Sequence, residues 1–216
     1  VTTKKSYDLI VQNQSVKDRI RAISLKVDFV ERKKIDSILG HTLKNQGFAL
    51  YAEKLKQEDL NSFTNNIKSP QIGIVLDKIT DPQNIGSIIR SAYCFGMSFV
   101  ISTYRNMPGE TPALASSSSG AIDKIRIYKT NNLVKSINTL KESGWWVIGL
   151  DSNEGELIGK LSNTINKKFD KIILILGSEG KGLSELLKKN CDFLAKINLI
   201  NNISLNVSNA AAISFY

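Results

Sequence analysis

The stretch Ser204-Leu205-Asn206-Val207-Ser208-Asn209-Ala210-Ala211-Ala212-Ile213 places a polar loop directly before a run of small apolar residues. Asn206 and Ser208 suit a helix interior poorly, because their side chains compete for backbone hydrogen bonds. At a helix N-terminus the same side chains satisfy unpaired amide groups, so the stretch predicts the start of a helix. A helix N-terminus also favours negative charge. Taken alone, the stretch fits a ligand site and a simple capped helix equally well.

Upstream of this stretch, short apolar runs alternate with amphipathic segments from residue 71 onward. The continuous apolar runs at 72–76 and 172–176 are typical of strands buried on both faces. Alternating strands and helices predict a parallel sheet covered on both sides, an α/β fold. The remaining predicted strands cover 99–102, 124–128, 145–150 and 193–197, and the predicted helices cover 82–95, 111–119, 133–143 and 183–188 before the final helix.

The first seventy residues have a different pattern. Helical patterns at 6–14 and 31–39 and strand patterns at 21–27 and 47–51 predict a small α/β domain over residues 1–52. Residues 53–70 are polar, include a predicted helix at 57–65 and end in Ser69-Pro70, so we interpret them as a linker. The large domain is then expected to span 71–216.

Composition narrows the class of protein. The 216 residues are 42% hydrophobic and 23% charged, as in a globular protein, and contain neither a transmembrane run nor a signal peptide. Cys94 and Cys191 lack metal-site spacing and are expected to be reduced and buried in a cytoplasmic protein. His41 is the only histidine, so neither a histidine-based metal site nor a Ser-His triad is expected.

The net charge of +9, from 29 basic and 20 acidic residues, favours a polyanionic partner such as nucleic acid. A genome bias toward Lys, Asn and Ile would also raise the charge, so composition leaves both explanations open. The chain begins at Val1 instead of Met and ends at Tyr216 within a predicted helix, so we expect a fragment.

Two further segments follow predicted strands at the edge where open α/β sheets place their ligands. The first is Asp81-Pro82-Gln83-Asn84-Ile85-Gly86, which is followed by Arg90. The second is Gly177-Ser178-Glu179-Gly180-Lys181-Gly182, whose order matches neither a P-loop nor a dinucleotide fingerprint. Because a carboxylate repels phosphate, Glu179 favours a ligand that carries hydroxyl groups or positive charge.

In this order, the three segments resemble motifs 1, 2 and 3 of the SpoU/TrmH family of RNA ribose 2′-O-methyltransferases, in the SPOUT superfamily. The resemblance covers residues 70–216 and implies a C-terminal trefoil knot, an exception to the rule that chains are unknotted. It also implies S-adenosylmethionine as cofactor and a homodimer formed through the knot and the final helix. Motif 3 of the family usually reads Ile-Pro-Met before a glycine-containing loop. This chain departs from that pattern and reads Ile197-Asn198-Leu199.

The N-terminal residues resemble the latter part of an L30e-like RNA-binding domain, found in the rRNA-modifying branch of that family. The resemblance rests on two segments, 29–36 and 45–50, and implies an incomplete domain whose start would precede Val1. The best-known members of this branch methylate a guanosine of 23S rRNA, so the resemblance implies such a substrate. A tRNA substrate, and a non-catalytic RNA-binding protein of the same fold, remain as alternatives.

The resemblance also assigns roles to individual residues. It implies that the reaction depends on Asn84, Arg90, Glu179, Ser204 and Asn206. Arg90 would stabilise the oxyanion that develops on the ribose, because an arginine is almost always protonated. The cofactor would be held by Gly177, Gly182, Ile197, Leu199 and Leu205.

Overall fold

The computed structural model describes residues 1–40, 45–53, 60, 71–165, 168–201 and 203–216. Contacts divide the chain into two compact units, Val1–Lys56 and Gln57–Tyr216. His41 and nearly all of the predicted linker and its helix at 57–65 lie outside the described residues. The boundaries at 52 and 70 stay predictions.

The described part of the first unit contains three short helices, α1 (Lys4–Ile10), α2 (Gln14–Ala22) and α3 (Arg32–Leu39). The strand predicted over 21–27 is wrong, because the Asn13 side chain caps Val16 and starts a helix that continues to Ala22. The strand predicted over 47–51 is reduced to one bridge between Thr2 and Phe48. The L30e-like identity of this unit stays a prediction.

The second unit alternates strands with helices, as the apolar pattern predicts. Its strands are β1 (Gln71–Leu76), β2 (Phe99–Thr103), β3 (Arg126–Thr130), β4 (Trp146–Leu150), β5 (Glu156–Leu157), β6 (Lys171–Leu176) and β7 (Phe193–Lys196). Its helices are α4 (Pro82–Cys94), α5 (Pro112–Ser118), α6 (Leu133–Glu142), α7 (Ile158–Ile165), α8 (Glu185–Lys188) and α9 (Val207–Phe215). The apolar pattern of the sequence did not predict β5 or α7. With only two residues, β5 is too short to show an alternating pattern.

The strands form one sheet in the order β3-β2-β1-β6-β4-β7-β5, and every pair is parallel. The two longest apolar runs, β1 and β6, pair at the centre over six positions, from Gln71 with Lys171 to Leu76 with Leu176. The predicted α/β class with a parallel sheet is therefore confirmed. The trefoil knot stays a prediction.

Two apolar cores cover the faces of the sheet. Ile74 and Leu76 of β1 belong to the core that α4, α5, α7 and α9 complete. Val75 of the same strand lies in the other core, with residues of α6 and α8. Helices cover both faces of the sheet, and successive strand residues point to opposite faces. Nearly every residue of β1 and β6 is therefore buried, which explains their uninterrupted apolar runs.

Both cysteines are free, but their surroundings differ. Cys94 is exposed, so its predicted burial is wrong; it is the last residue of α4, beyond the turns that the core covers. Cys191 is partly buried, and burial raises the pKa of its thiol to about 11. In the part of the chain that the structure describes, no helix is long and apolar enough to span a membrane.

Gly86 lets α4 and α5 pack closely. A Cβ atom at this position would overlap the Ser117 hydroxyl oxygen and lie 2.8 Å from the Leu114 carbonyl oxygen. A backbone carbonyl cannot turn away as a flexible side chain can, so only glycine fits here without movement of a helix.

We therefore expect Gly86→Ala to lower the free energy of unfolding by about 1–3 kcal/mol, the usual cost of overpacking. Gly159→Ala is the matched control, because a Cβ at Gly159 in α7 meets none of the described residues within 4 Å and alanine favours a helix. Urea unfolding followed by circular dichroism measures both. Equal effects of the two substitutions would contradict the packing argument.

Candidate functional site

Three loops meet at the carboxyl edge of the sheet. They leave β1, β6 and β7, and each leads into a helix: α4, α8 and α9, respectively. Since β1 and β6 are neighbours and parallel, their carboxyl ends lie side by side although a hundred residues separate them in sequence. This edge is where open α/β sheets bind ligands.

The first loop ends in a capped helix that fixes Asn84. The Asp81 carboxylate accepts hydrogen bonds from the backbone N–H groups of Gln83 (3.2 Å) and Asn84 (3.3 Å). Pro82 occupies the first turn, where its missing N–H costs nothing. Asn84 is therefore held in the first turn of α4.

The glycine-rich loop closes on itself. Ser178 and Gly182 exchange two backbone hydrogen bonds of 3.1 and 2.9 Å, and Gly180 and Gly182 have φ values of +80° and +61°. A Cβ at Gly177 would overlap the backbone of Gly182. The glycines thus allow a tight turn that presents Glu179.

The third loop starts α9 as the sequence predicts. Asn206 is the N-cap, and its side-chain oxygen accepts from the Ser208 backbone N–H (2.9 Å) and hydroxyl (2.6 Å). With its oxygen used in this way, the Asn206 amide nitrogen is free to donate elsewhere.

Glu179 joins the three loops through a single carboxylate oxygen. Its Oε1 accepts hydrogen bonds from the side-chain nitrogens of Asn84 (3.0 Å) and Asn206 (2.7 Å), and from the Val207 backbone N–H (3.4 Å). Asn206 also donates to the Asn84 side-chain oxygen (2.9 Å). Asn84, Glu179 and Asn206, here called the amide–carboxylate network, bring one predicted residue from each motif together.

A cleft of about 230 Å³ opens beside this network. It is lined by all five residues predicted to hold the cofactor, and by Glu179 and Ser204 of the set predicted for the reaction. Apolar side chains from β4, β6 and the third loop form much of its wall. The roles of these residues stay predictions, but their sequence motifs do converge on one cavity.

Arg90 stands apart from the other predicted residues. It lies six residues beyond Asn84, about 9 Å further along α4, and is exposed. Neither a hydrogen bond nor an ion pair joins it to Asn84, Glu179 or Asn206, all of which the structure describes. Its guanidinium is thus not part of the network.

Sequence reasoning missed one wall of the cleft. Leu150, Asp151 and Ser152 line it at the end of β4. The signal was available, because the predicted strand at 145–150 ends beside Asp151 and carboxyl ends of strands form such sites.

Asp151 is a buried carboxylate with three donors. Its Oδ1 accepts from the backbone N–H groups of Asn153 (2.8 Å) and Glu154 (3.0 Å), and its Oδ2 lies 2.9 Å from the Lys188 ammonium. Burial alone would raise the pKa of Asp151, but the hydrogen bonds and the Lys188 charge outweigh burial, so its pKa is lowered. Bonding to Asp151 raises the pKa of Lys188.

Taken together, the cleft offers apolar walls, backbone polar groups and an exposed carboxylate. These features suit a ligand with a flat apolar part and a polar part that carries hydroxyl groups or positive charge. Among the described residues there is no group of three or more His, Cys, Asp or Glu side chains that could hold a metal ion.

Comparisons with known proteins agree with this geometry. The model of the SpoU rRNA methylase family matches residues 71–216. The chain is 30% identical over 224 residues to YacO of Bacillus subtilis, whose name places it in the TrmH family of tRNA/rRNA methyltransferases. The alignment covers 99% of this chain and 87% of YacO.

The chain is also 32% identical over 207 residues to the 23S rRNA (guanosine-2′-O-)-methyltransferase RlmB of Coxiella burnetii, covering 94% of this chain and 80% of that protein. Its fold is similar to that of an AdoMet-bound rRNA methyltransferase from Sinorhizobium meliloti, with a TM-score of 0.74 and 22% identity. That likeness covers 94% of this chain and 75% of the other.

The lowered pKa of Asp151 predicts how its contribution to stability changes with pH. The folded protein holds this proton less tightly than the unfolded chain, whose carboxyl has the ordinary value of 3.8. The contribution is therefore complete above that value and is lost as the pH falls through the lower native pKa.

We expect the gap in unfolding free energy between the wild type and Asp151→Asn to be constant from pH 6 to 5 and to narrow below about pH 4. Chemical unfolding at a series of pH values measures this gap. A gap that stays unchanged down to pH 3 would show that the Asp151 charge does not contribute.

Proposed function

Since the chain belongs to the SpoU rRNA methylase family, we propose that it methylates the ribose 2′-hydroxyl of a guanosine in 23S rRNA. It is an S-adenosylmethionine-dependent RNA methyltransferase. The single observation that carries the assignment of this site is that Glu179, which lines the cleft, accepts hydrogen bonds from Asn84 and Asn206, so that one residue of each motif meets beside the cleft. The similarity to a 23S rRNA guanosine methyltransferase supports the choice of acceptor.

The lining of the cleft fits the cofactor. The apolar side chains of Leu150, Ile197 and Leu205 would contact its adenine ring, and the Gly177 and Gly182 backbones would approach it closely. Among the described residues, a Cβ at Gly182 would meet only the Asp151 Oδ2 atom, 3.9 Å away. When bound, S-adenosylmethionine supplies an electrophilic methyl group on a positively charged sulfur.

The amide–carboxylate network would orient the reacting groups. The Glu179 Oε1 atom is already shared by three donors, while its Oε2 atom has no hydrogen-bond partner among the described residues. The Ser204 hydroxyl, also at the cleft, has none within the same part of the chain. The Glu179 Oε2 atom is therefore available to attract the cationic part of the cofactor, and the Ser204 hydroxyl is available to hydrogen-bond its polar part.

The ribose 2′-hydroxyl is a very weak acid, so it would have to release its proton to solvent as its oxygen accepts the methyl group that the cofactor supplies. Arg90 would stabilise the negative charge that develops on this oxygen. It is exposed and, within the described residues, has no carboxylate partner, so its charge is available to the substrate.

We propose that Lys and Arg residues of the first unit bind RNA phosphates. Residues Val1–Lys56 hold 12 Lys and Arg against 6 Asp and Glu, and so supply six of the nine net positive charges in about a quarter of the chain. RNA affinity should therefore fall as salt concentration rises.

The experiment that tests the substrate uses tritiated S-adenosylmethionine with unmodified 23S rRNA and, separately, unmodified tRNA. The modified nucleoside is then identified by mass spectrometry. Label recovered as 2′-O-methylguanosine from 23S rRNA supports the proposal, whereas label in tRNA alone overturns the choice of substrate. Absence of both labelling and cofactor binding would favour a non-catalytic RNA-binding protein.

Arg90→Ala should lower kcat by about 10²–10³, the typical cost of one lost group that stabilises charge in the transition state. The matched control is Lys135→Ala, which removes an exposed positive charge from α6, on the opposite face of the sheet. Steady-state methylation at saturating RNA and S-adenosylmethionine measures kcat for both variants. Near-normal turnover by a folded Arg90→Ala protein would show that Arg90 is not catalytic.

The proposal includes a homodimer, as the family resemblance implies. Three large side chains of the α4–α9 region are exposed: Tyr93 (48%), Phe95 (43%) and Ile213 (47%). The Phe95 and Tyr216 rings contact each other edge to face at 6.3 Å. Exposed apolar side chains grouped in this way are typical of an interface.

Ile213→Glu is expected to convert the dimer to a monomer, because it would bury a charge in that interface. Light scattering after size-exclusion chromatography measures the mass. The control is Leu186→Glu, which alters a residue that is 62% exposed in α8, on the face of the sheet opposite α4 and α9. A wild-type protein that is monomeric at micromolar concentration would contradict the dimer.

A further inference from the structure

The β4–β5 loop, residues 151–155, is fixed at several points although it has no regular structure. Asp151 caps two of its backbone N–H groups, and the Asp151 N–H donates to the Ala195 carbonyl (2.8 Å). Gly155 has φ +107°, and a Cβ there would overlap the backbone of Leu194. The loop is thus held against β7 on one side.

Lys188 holds the same loop on its other side. This residue ends α8, which follows the glycine-rich loop, and its ammonium bonds to Asp151 (2.9 Å) and Glu154 (3.2 Å). The Asp151 and Lys188 side chains are only 6% and 16% exposed, whereas Glu154 is 65% exposed. The Asp151–Lys188 pair is therefore shielded from water, and the Glu154 contact is not.

The pair connects two walls of the cleft. Asp151 lines one wall together with Leu150 and Ser152, and Lys188 ends the segment that contains Gly177 and Glu179 of the other wall. A carboxylate has about four acceptor positions, and three of those on Asp151 are already occupied by protein donors. Asp151 therefore has little capacity left for a direct bond to a ligand.

We propose that Asp151 is a positioning residue for the cofactor: through Lys188 it sets the separation between the β4–β5 loop and the glycine-rich loop. This inference rests on the proposed function, since it takes S-adenosylmethionine as the occupant of the cleft. Loss of the pair loosens the walls and weakens cofactor binding, and it leaves the amide–carboxylate network intact.

Asp151→Asn provides a selective test. The asparagine oxygen can still accept from Asn153 and Glu154, but its NH₂ group then faces the Lys188 ammonium, and two donors repel. We expect the Kd for S-adenosylmethionine, measured by calorimetry, to rise about tenfold, as is typical of coupling within one salt-bridge network. KM for the cofactor should rise equally, with kcat at saturation within about twofold of wild type.

The double variant Asp151→Asn/Lys188→Met distinguishes positioning from a general loss of structure. Removing the ammonium relieves the clash between donors, so the double variant should bind S-adenosylmethionine more tightly than Asp151→Asn alone. Glu154→Gln is the matched control, because it alters the exposed partner of the same lysine and should leave Kd unchanged. If Asp151→Asn does not fold, Lys188→Met alone should weaken binding.

Three results would overturn the inference: wild-type affinity in a folded Asp151→Asn protein, no recovery in the double variant, or an equal effect of Glu154→Gln. A wild-type protein that fails to bind S-adenosylmethionine would instead overturn the proposed function, and the inference with it. Wild-type binding that Asp151→Asn leaves unchanged overturns the inference only.

Discussion

The pairing of β1 with β6 is the constraint on which the site depends. These strands are a hundred residues apart in sequence, yet they pair in parallel over six positions at the centre of the sheet. Because they end at the same level, Asp77 and Gly177 start their loops side by side. Asp77 is buried and accepts from the Ser184 backbone N–H at 2.8 Å, so the β1 loop also supports the end of the glycine-rich loop. Apolar burial in β1 and β6 therefore decides where the polar groups meet.

The polar contacts at this edge differ in what they contribute. The amide–carboxylate network is largely exposed, and each of its hydrogen bonds adds at most about 1 kcal/mol to stability, because water can replace the partner. Its value lies in orientation: one Glu179 oxygen fixes amides that come from two different helices. The Asp151–Lys188 pair is shielded from water, so losing one partner removes most of the compensation for the buried charge of the other.

Local signals in the sequence predicted most of the second unit. The apolar runs of β1 and β6, Asp81 before Pro82, and Asn206 before an alanine-rich segment each act within a few residues, so they could be interpreted without the fold.

The 151–165 region could not be predicted in the same way. Its two-residue strand β5 is held by pairing with β7. Lys188, the ion-pair partner of Asp151, lies 37 positions further along the chain on α8. In the first unit, an alternating pattern at 21–27 was overridden by the Asn13 cap. The resemblance selected Arg90, but residue spacing alone did not reveal that it lies outside the network.

The distribution of charge explains how a basic protein can use an acidic site. The chain carries a net charge of +9, yet in the loops that follow β1, β4 and β6 the carboxylates of Asp77, Asp81, Asp151 and Glu179 outnumber the ammonium groups of Lys78 and Lys181. Each of these carboxylates accepts at least one backbone N–H, so each is held in place as an acceptor. Such an edge attracts a cationic ligand and repels phosphate. A polyanionic substrate must therefore be held by positive charge elsewhere on the chain, so that only its ribose approaches this edge. Arg90 lies on the same helix as Asn84 but outside the amide–carboxylate network, and no carboxylate of the described residues neutralises it. Its positive charge can therefore act on the substrate close to the acidic edge.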